Sequence, residues 1–323
     1  MDTLRIGTRG SELALFQANA VAALLAQLAG ISSDIVVIKT SGDRLADASL
    51  AQIGGKRLFV KEIEDALLAG EVDLAVHSSK DMPALLPDGL TVGAVLQRED
   101  PHDAIVLPAA AGQSMSIHEV VSELGRTPRI GTSSVRRVAQ LVRLFPEARF
   151  LPVRGNLGTR LRKLDAGEYD ALVLAAAGLR RLGRSDRITA MIPADVCVPA
   201  PGQGIIAIEV READERVKGL VARVNDHNAA AALRAERAVV TRLGGGCQMP
   251  IGAVADITGG DLALLGVVVS PDGGRIVRAS AAGSAADAEG VGRQVADELL
   301  RGGAGDILAE VQRAHAAVEG IQP

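Results

Sequence analysis

The sequence predicts an α/β protein with two similar α/β domains and a smaller α+β domain at its carboxyl end. Three observations support this fold class. Helical and strand patterns alternate with short connections over most of the chain, as in sheets covered by helices. The tetrapeptide Arg-Ile-Gly-Thr occurs twice, at 5–8 and at 129–132, each time before a helical pattern. After about residue 226 the alternation stops, and a helix, three strands and two more helices follow.

The first domain is expected to consist of β-α-β units. Ser11 is the expected N-cap of a helix whose apolar residues recur at helical spacing until Gly30 ends it. The polar segment 97–103 contains a proline and is the expected hinge. The other expected elements are strands at 4–8, 34–40, 72–78 and 91–96 and a helix at 58–70.

The alternation restarts at the second Arg-Ile-Gly-Thr copy. The expected elements are strands at 129–132, 148–153 and 169–175, and helices at 133–145, 157–167 and 176–183. A Pro/Gly turn and a strand at 199–211 follow. The third domain is expected to hold a helix at 228–246, an antiparallel meander with a hairpin turn at 271–274, and two helices within 285–318. The predicted domains are 1–98 with 203–222, 102–198, and 226–323.

Composition disfavours several classes of function. Hydrophobic residues make up 48% of the chain, which suffices for buried cores, but aromatic residues make up only 2%. Proteins that stack single-stranded bases need aromatic platforms, so that role is disfavoured. The chain shows no secretory signal and no uninterrupted apolar stretch of membrane-spanning length, and its two cysteines match no zinc spacing. These features predict a cytoplasmic protein.

The net charge of −4 conceals a basic region. Residues 126–187 carry a formal charge of +9, and the rest of the chain carries −13. Solvated helix faces would explain such a region, and so would a surface that binds an anionic ligand.

The repeated motif has the properties of an anion site. A strand that leads into a Ser-capped helix presents unpaired backbone N–H groups and a positive dipole end. Arg136 and Arg137 fall in the first turn of the second helix, where cations oppose the dipole and a bound anion would justify them. Arg9 precedes the first helix, and Arg154 and Arg160 surround a third strand–helix turn. The alternative, that these are ordinary strand–helix turns, stays open.

Two further segments carry reactive groups. Lys80 and Asp81 follow a predicted strand, where Asp81 can stabilise a developing positive charge and Lys80 can bind an anion. The alternative is a polar loop, and the neighbouring His77 is better explained as a structural histidine. Cys247 follows three glycines, which suits a nucleophile or an attachment point, although a small buried side chain would also fit. Cys197 is expected to pack in a core.

Taken together, the motifs resemble those of the porphobilinogen deaminase (hydroxymethylbilane synthase) family. They run in order from residue 5 to about residue 255, and as a set they are highly specific. The matching stretches are RIGTRGSELALFQA, GGKRLFVKEIEDALLAGEVDLAVHSSKDMP, RIGTSSVRR, VRGNLGTRLRKLDAGEYDALVLAAAGLRRLG, PGQG and ERAVVTRLGGGCQMPIGA. The resemblance implies two periplasmic-binding-protein-like α/β domains around a cleft, and a smaller C-terminal α+β domain that bears the cysteine.

The resemblance also implies a reaction. Family members join four porphobilinogen molecules head to tail, with release of ammonia, to give the linear tetrapyrrole hydroxymethylbilane (preuroporphyrinogen). The implied cofactor is dipyrromethane, made from two porphobilinogens and held by a thioether to Cys247. Asp81 is the implied catalytic carboxylate, and no metal is implied. The expected protein is a monomer that binds no nucleic acid or membrane, with transient hand-over of its product to uroporphyrinogen-III synthase.

The same resemblance assigns the residues that contact carboxylates. Substrate contacts are expected from Arg9, Ser11 and Arg160. Cofactor contacts are expected from Lys80, Asp81, Thr132, Ser133, Ser134, Arg136, Arg137, Arg154 and Gly155. One departure is Arg57, where the family usually has a small residue; the segment from about Asp43 to Lys56 is the expected lid.

Three other functions would each explain part of the sequence. A cytoplasmic two-domain anion or solute-binding protein without catalysis would explain the cleft but not the Cys247 segment. A nucleic-acid-binding protein would use the basic region 126–187. A cysteine acyltransferase would need a histidine beside Cys247, and His77 is the plausible partner by its setting.

Overall fold

The structure is a computed structural model that describes residues 3–41, 60–109, 114–246 and 248–319. The strands within these ranges are β1 (Leu4–Thr8), β2 (Ser33–Val37), β3 (Leu74–Ser78), β4 (Leu90–Val95), β5 (Asp103–Val106), β6 (Arg129–Gly131), β7 (Arg149–Leu151), β8 (Ala171–Ala175), β9 (Ala190–Ile192), β10 (Ile206–Arg211), β11 (Ile251–Thr258), β12 (Asp261–Val269) and β13 (Ile276–Ser284). The helices are α1 (Glu12–Ala29), α2 (Lys61–Leu68), α3 (Ile117–Leu124), α4 (Val135–Leu141), α5 (Leu157–Asp165), α6 (Ala176–Arg181), α7 (Glu215–Val221), α8 (His227–Arg242), α9 (Ala288–Arg301) and α10 (Ala304–Glu319).

Two five-stranded sheets share one topology. The first has the strand order β2-β1-β3-β10-β4 and the second the order β7-β6-β8-β5-β9. In each sheet one strand runs antiparallel to both neighbours: β10 between β3 and β4, and β5 between β8 and β9. The prediction of parallel sheets is therefore correct for the βαβ units and wrong for these two strands. Each of them follows directly on a crossover between the domains, which reverses the direction of the chain.

The arginine of the repeated tetrapeptide has the same structural role in both domains. Arg5 donates from its backbone N–H and from its guanidinium to Asp73, just before β3, with Nη2 to Oδ1 at 2.8 Å. Arg129 makes the equivalent contacts with Asp170, just before β8, with Nη2 to Oδ1 at 2.6 Å. The guanidinium fork holds the carboxylate through two nitrogens, which fixes the first and third strands of each unit side by side.

This comparison uncovers a second repeat that was missed in the sequence. The segments Ala-Gly-Glu-Val-Asp at 69–73 and Ala-Gly-Glu-Tyr-Asp at 166–170 end equivalent helices and lead into β3 and β8. Gly70 and Gly167 have φ values of 73° and 77°, a left-handed conformation that favours glycine at helix ends. The repeated tetrapeptide is therefore accompanied by a second repeat. The two halves share a helix end as well as a strand–helix turn.

Some elements differ from their predicted bounds. Strands β5 and β9 and helix α3 were not predicted. The two strands are four residues or shorter, whereas the apolar residues of α3 recur at helical spacing and the signal was missed. A capping box starts α3, with Ser116 and Glu119 bonded reciprocally. Helix α4 spans Val135–Leu141 and is shorter than the predicted 133–145.

The third sheet is the predicted antiparallel meander, in the order β11-β12-β13. The turn at 271–274 joins β12 to β13, with Gly273 at a φ of 72°. Helices α8, α9 and α10 pack on the sheet around a core that includes Val239, Leu264, Val295 and Ile307. A smaller α+β domain is thus present as expected. The residue numbers at which the three domains divide stay a prediction.

Helix α1 is long and apolar enough, by length and composition alone, to cross a membrane. This finding qualifies the sequence expectation that no stretch reaches that length. In the structure α1 covers the first sheet, and its Ala18, Val21 and Leu25 join a buried core with Leu4 and Ile6.

Two segments cross between the first two domains: residues 96–102, the first crossover, and residues 193–205, the second crossover. They run side by side, and we call the place where they meet the hinge. The backbone N–H of Glu99 donates to the carbonyl of Gly204 at 3.0 Å. Gly204 has a φ of 87°, and a Cβ on it would lie 2.2 Å from the Glu99 carbonyl oxygen. Only glycine fits such a position, because the close approach leaves no room for a side chain.

A buried carboxylate ties the third domain to this hinge. Glu236 of α8 accepts hydrogen bonds from Arg98 Nη1 and the Gly202 N–H, both at 2.6 Å, and from the Ala255 N–H at 2.7 Å. Arg98 also donates Nε to the Gln203 carbonyl at 2.9 Å. Glu236 is fully buried, so this carboxylate connects α8, β11 and both crossover segments.

We expect Glu236→Ala to lower the free energy of unfolding by about 3–5 kcal/mol, because it leaves Arg98 without its carboxylate inside the protein. Urea unfolding of the two proteins measures the loss. The control is Glu147→Ala, which removes an ion pair with Arg126 at the surface. That change should cost less than about 1 kcal/mol. Equally small losses in the two variants would contradict the anchoring role of Glu236.

Candidate active site

The predicted site residues come from both domains and meet in the cleft between them. In the first domain Arg9 follows β1, and Lys80 and Asp81 follow β3; in the second domain Arg160 lies on α5. Arg160 interacts electrostatically with Asp81, Arg9 and Arg137. Side chains that are up to about 150 positions apart in the sequence therefore share one electrostatic environment, at the carboxyl ends of the parallel strands.

Arg160 is affected by charges from both domains. Burial lowers the pKa of its guanidinium, and the charges of Arg137 and Arg9 lower it further, while Asp81 opposes them. Its Nε donates to the carbonyl of Gly155 at 2.9 Å. A guanidinium that is anchored through one nitrogen and surrounded by other cations gains from an additional anion in the cleft.

The two predicted serine caps are confirmed. Ser11 Oγ accepts from the N–H of Ala14 at 3.3 Å, at the start of α1. Ser134 Oγ accepts from the N–H of Arg137 at 3.4 Å, at the start of α4. Each helix that follows the repeated tetrapeptide thus begins with a serine cap, and the second cap lies inside the predicted helix 133–145.

The other polar residues after β6 bind the neighbouring strand segment. Ser133 Oγ donates to the carbonyl of Val153 at 2.9 Å and accepts from its N–H at 3.1 Å. Thr132 is buried, and its Oγ1 accepts from the N–H of Ser134 at 3.3 Å. These bonds hold the exposed Ser133 against the segment that carries the half-buried Arg154.

Arg136 and Arg137 are buried and share one carboxylate. Arg136 Nη2 donates to Asp103 Oδ2 and Arg137 Nη2 to Asp103 Oδ1, each at 2.7 Å. Arg136 also donates to the Val198 carbonyl at 2.6 Å, and Arg137 to the Val173 carbonyl at 2.8 Å. We call these three side chains, Asp103, Arg136 and Arg137, the arginine–carboxylate cluster.

The cluster corrects one step of the sequence argument. The two arginines were expected to need an external anion, but Asp103 of the same chain provides one. Burial by itself raises the pKa of Asp103, and the two arginines outweigh it and hold that pKa well below its usual range. The cluster keeps a net charge of +1 in the cleft wall, so its attraction for carboxylates persists. Direct contacts from Arg136 and Arg137 to a ligand stay a prediction.

Lys80 belongs to the first domain and interacts electrostatically with the arginine–carboxylate cluster of the second. Its Nζ donates to Gln203 Oε1 at 3.3 Å. Burial lowers the pKa of Lys80 to about 8; Asp81 raises it, and Arg137 lowers it. The ammonium is thus close to its titration range near neutral pH, and a ligand carboxylate would stabilise its charged form.

Asp81 ends a short 3₁₀ turn, Ser79–Asp81, and its side chain is exposed at the cleft. It interacts electrostatically with both Lys80 and Arg160. Among the described residues no hydrogen bond to its carboxylate is found. An exposed carboxylate between cations from two domains can accept N–H groups of a ligand and oppose a positive charge that develops there.

His77 and Cys197 have surroundings that indicate structural roles and not catalytic ones. His77 Nε2 lies 3.0 Å from Glu209 Oε2, and both side chains are buried in the first sheet. This agrees with the structural interpretation of His77 and leaves a cysteine nucleophile without its suggested partner. Burial raises the pKa of the Cys197 thiol to about 12, which agrees with a packing role.

Three predictions concern residues outside the described ranges. Cys247, Arg57 and the expected lid from about Asp43 to Lys56 belong to them. The flanks of Cys247 are described: α8 ends at Arg242, and β11 begins at Ile251 and packs on the hinge, where Ala253 N–H donates to the Pro199 carbonyl at 3.0 Å.

Two site residues were missed by the sequence analysis. In the sequence Asp103 ends the expected hinge and Gln203 belongs to the Pro/Gly turn, and neither is predicted as a site residue. Gln203 Nε2 donates to Asp103 Oδ1 at 2.8 Å and to the Pro101 carbonyl at 2.6 Å. The available signal was an acidic residue at the end of the expected hinge and an amide residue in the Pro/Gly turn.

We expect the Lys80 ammonium to titrate with a midpoint near pH 8 in the ligand-free protein. The measurement is an NMR titration of protein labelled with ¹³C at the lysine ε-carbon, and Lys80→Arg identifies the resonance. The ordinary lysine value is about 10.4. A midpoint at that ordinary value would show that Lys80 is not desolvated in the cleft.

Comparisons with known proteins identify the family. Residues 4–219 match the model of "Porphobilinogen deaminase, dipyromethane cofactor binding domain", and residues 230–301 match that of its C-terminal domain. The chain is 50% identical over 313 residues to porphobilinogen deaminase of Syntrophobacter fumaroxidans, covering 96% of this chain and 98% of that one. It is 46% identical to the enzyme of Geotalea daltonii, covering 95% and 94%.

Solved structures with similar folds include periplasmic binding modules. The VFT2 domain of Bordetella pertussis BvgS is 18% identical, with a TM-score of 0.39 over 69% of this chain and 86% of that one. Substrate-binding domain 2 of Lactococcus lactis GlnP is 14% identical, with a TM-score of 0.41 over 73% and 90%. Likeness at this level is too low to add to the architecture described above. The sequence matches are decisive: the chain belongs to the porphobilinogen deaminase family, whose members are transferase enzymes.

Proposed function

We propose that this protein is a hydroxymethylbilane synthase. It joins four porphobilinogen molecules head to tail, releases four ammonia molecules and consumes one water molecule, which supplies the hydroxyl group of the linear tetrapyrrole hydroxymethylbilane. The observation that carries the proposal is that Lys80 and Arg160, one from each domain, both interact with one exposed carboxylate, Asp81, while Arg9 interacts with Arg160. A substrate with acetate and propionate side chains and a pyrrole N–H needs this combination of groups.

The residues of the cleft suit a dipyrromethane cofactor, which the matched family model names. Such a group carries several carboxylates, and the cleft offers cations, exposed hydroxyls and a helix N-terminus. When bound, the dipyrromethane supplies the pyrrole carbon to which the first substrate is joined. We assign its attachment to Cys247. The residues assigned to hold it are Lys80, Asp81, Thr132, Ser133, Ser134, Arg136, Arg137, Arg154 and Gly155.

The substrate is assigned to Arg9, Ser11 and Arg160. Arg9 and Arg160 belong to different domains yet interact electrostatically, so one porphobilinogen with two carboxylates can bridge them. The loss of ammonia from porphobilinogen leaves a cationic pyrrole. Asp81 stabilises that cation and accepts the pyrrole N–H, and its exposure lets it reach the substrate.

The site of action is proposed to be the cytoplasm, because thioether attachment at Cys247 needs a reduced thiol, which that compartment maintains. A monomeric state and transient hand-over of the product to uroporphyrinogen-III synthase complete the proposal.

We expect Asp81→Ala to lower kcat by about 10²–10³-fold, the usual effect of removing one charge-stabilising group from an active site. KM for porphobilinogen should change little, because the carboxylate-binding cations remain. Steady-state assays of product formation measure both constants. Asp88→Ala is the matched control, since Asp88 is an exposed acid in the same loop region. Near-normal turnover by Asp81→Ala would overturn the role of Asp81.

We expect the intact mass of the denatured wild-type protein to exceed the sequence mass by two pyrrole units. The excess should persist in Cys197→Ser and be absent from Cys247→Ser. An apo preparation should gain the adduct on incubation with porphobilinogen. A solute-binding protein without catalysis would gain no covalent mass, and an adduct in Cys247→Ser would contradict the attachment site.

A further inference from the structure

Gln203 lies at the centre of the hinge and contacts both domains. It is fully buried in the second crossover. Its Nε2 donates to the Pro101 carbonyl of the first crossover at 2.6 Å and to Asp103 Oδ1 at 2.8 Å. Its Oε1 accepts from Lys80 Nζ at 3.3 Å. One side chain thus links the ammonium of the first domain to the arginine–carboxylate cluster of the second.

The backbone at Gln203 is fixed by the glycines on either side. Gly202 and Gly204 both have positive φ values, 74° and 87°. A Cβ on Gly202 would lie 2.6 Å from Ser79 Oγ, in the turn that carries Lys80, and one on Gly204 would meet the Glu99 carbonyl. The backbone of Gln203 is therefore held closely against the first crossover and against the turn after β3.

The three contacts require an amide. Two acceptors, a carbonyl and a carboxylate, face one end of the side chain, and an ammonium faces the other. A glutamine meets both demands with its NH₂ and its carbonyl oxygen. A glutamate would place a second carboxylate against Asp103 and has no donor for it, and an apolar side chain would satisfy neither end.

The amide also separates two opposite charges. Asp103 is already shared by Arg136 and Arg137, and no ion pair between Asp103 and Lys80 is found in the described part of the chain. If Gln203 were absent, the ammonium could approach this carboxylate and be neutralised by it. With Gln203 in place, the Lys80 ammonium bonds to the amide oxygen, and Asp103 acts on it electrostatically without forming an ion pair.

We propose that Gln203 is a positioning residue for the reaction: it holds the Lys80 ammonium at the cleft, apart from Asp103, and couples its position to the hinge. The inference rests on the proposed function in one respect, the assignment of Lys80 to ligand carboxylates. Gln203 itself acts through Lys80 and is not assigned a contact with substrate.

The test compares Gln203→Met with Gln140→Met in the cofactor-loaded protein. Gln140 is a matched control, because it is also buried and binds a crossover segment, with Oε1 accepting from the Val198 N–H at 2.8 Å. It does not contact Lys80 among the described hydrogen bonds. Both variants should lower the thermal midpoint. Only Gln203→Met should shift the Lys80 titration in ε-¹³C-lysine NMR spectra.

In the same comparison, KM for porphobilinogen should rise about tenfold or more in Gln203→Met, the range for losing a hydrogen bond to a charged group. Its kcat should fall less than KM rises. Gln203→Glu, a second variant in case the first is not recovered folded, should move the Lys80 midpoint to higher pH, because it adds a carboxylate beside the ammonium.

An unchanged Lys80 titration and an unchanged KM in the folded Gln203 variants would overturn the positioning role and leave only a contribution to stability. The NMR titration of Lys80 requires no turnover. It therefore tests the contact between Gln203 and Lys80 even if the wild-type protein does not consume porphobilinogen. That last outcome would overturn the proposed function and not the contact between Gln203 and Lys80.

Discussion

The carboxylate of Asp103 is the contact on which the cleft depends. It lies at the first position of β5, directly after the first crossover, and it is fully buried. A buried carboxylate is stable only when it is paired and hydrogen-bonded, and two arginines and a glutamine provide those bonds. The same bonds fix both arginines, although α4 alone would leave them opposed to its dipole. The hinge and the charged wall of the cleft are thus one structure.

The duplicated architecture explains how the cleft obtains cations from both sides. Each α/β domain begins with the same tetrapeptide, and its arginine is used internally, bonded to Asp73 in one domain and to Asp170 in the other. The residues after each tetrapeptide are the ones that reach the cleft. In the first domain this is Arg9, and in the second it is the start of α4. The repeat therefore preserves the scaffold, and the positions beyond it differ between the two walls.

The third domain is bonded to both crossovers, and its strand β12 also packs on α4, the helix of one cleft wall. Glu236 binds Arg98 and the backbone of Gly202, one from each crossover. The loop that contains Cys247 joins α8, which carries Glu236, to β11, which packs on Pro199. The described flanks of this loop are therefore both connected to the crossovers.

The sequence by itself determined the family, the strand–helix units and the serine cap of α1, and it predicted the residues of the cleft. These depend on periodicities and motifs that lie within short stretches, where each residue's role follows from its neighbours. It also separated Cys247 from Cys197 by setting alone, and the burial of Cys197 agrees.

Only the tertiary structure decided which anion the buried arginines hold and how the ammonium of Lys80 is supported. Asp103 lies 33 positions before Arg136 and 100 positions before Gln203, and no periodic pattern connects them. Their contacts exist because two crossovers run side by side, which depends on the reversed strands β5 and β10. The four-residue β5 carries little local signal, and the direction of β10, a strand that was predicted, depends on sheet neighbours distant in the chain.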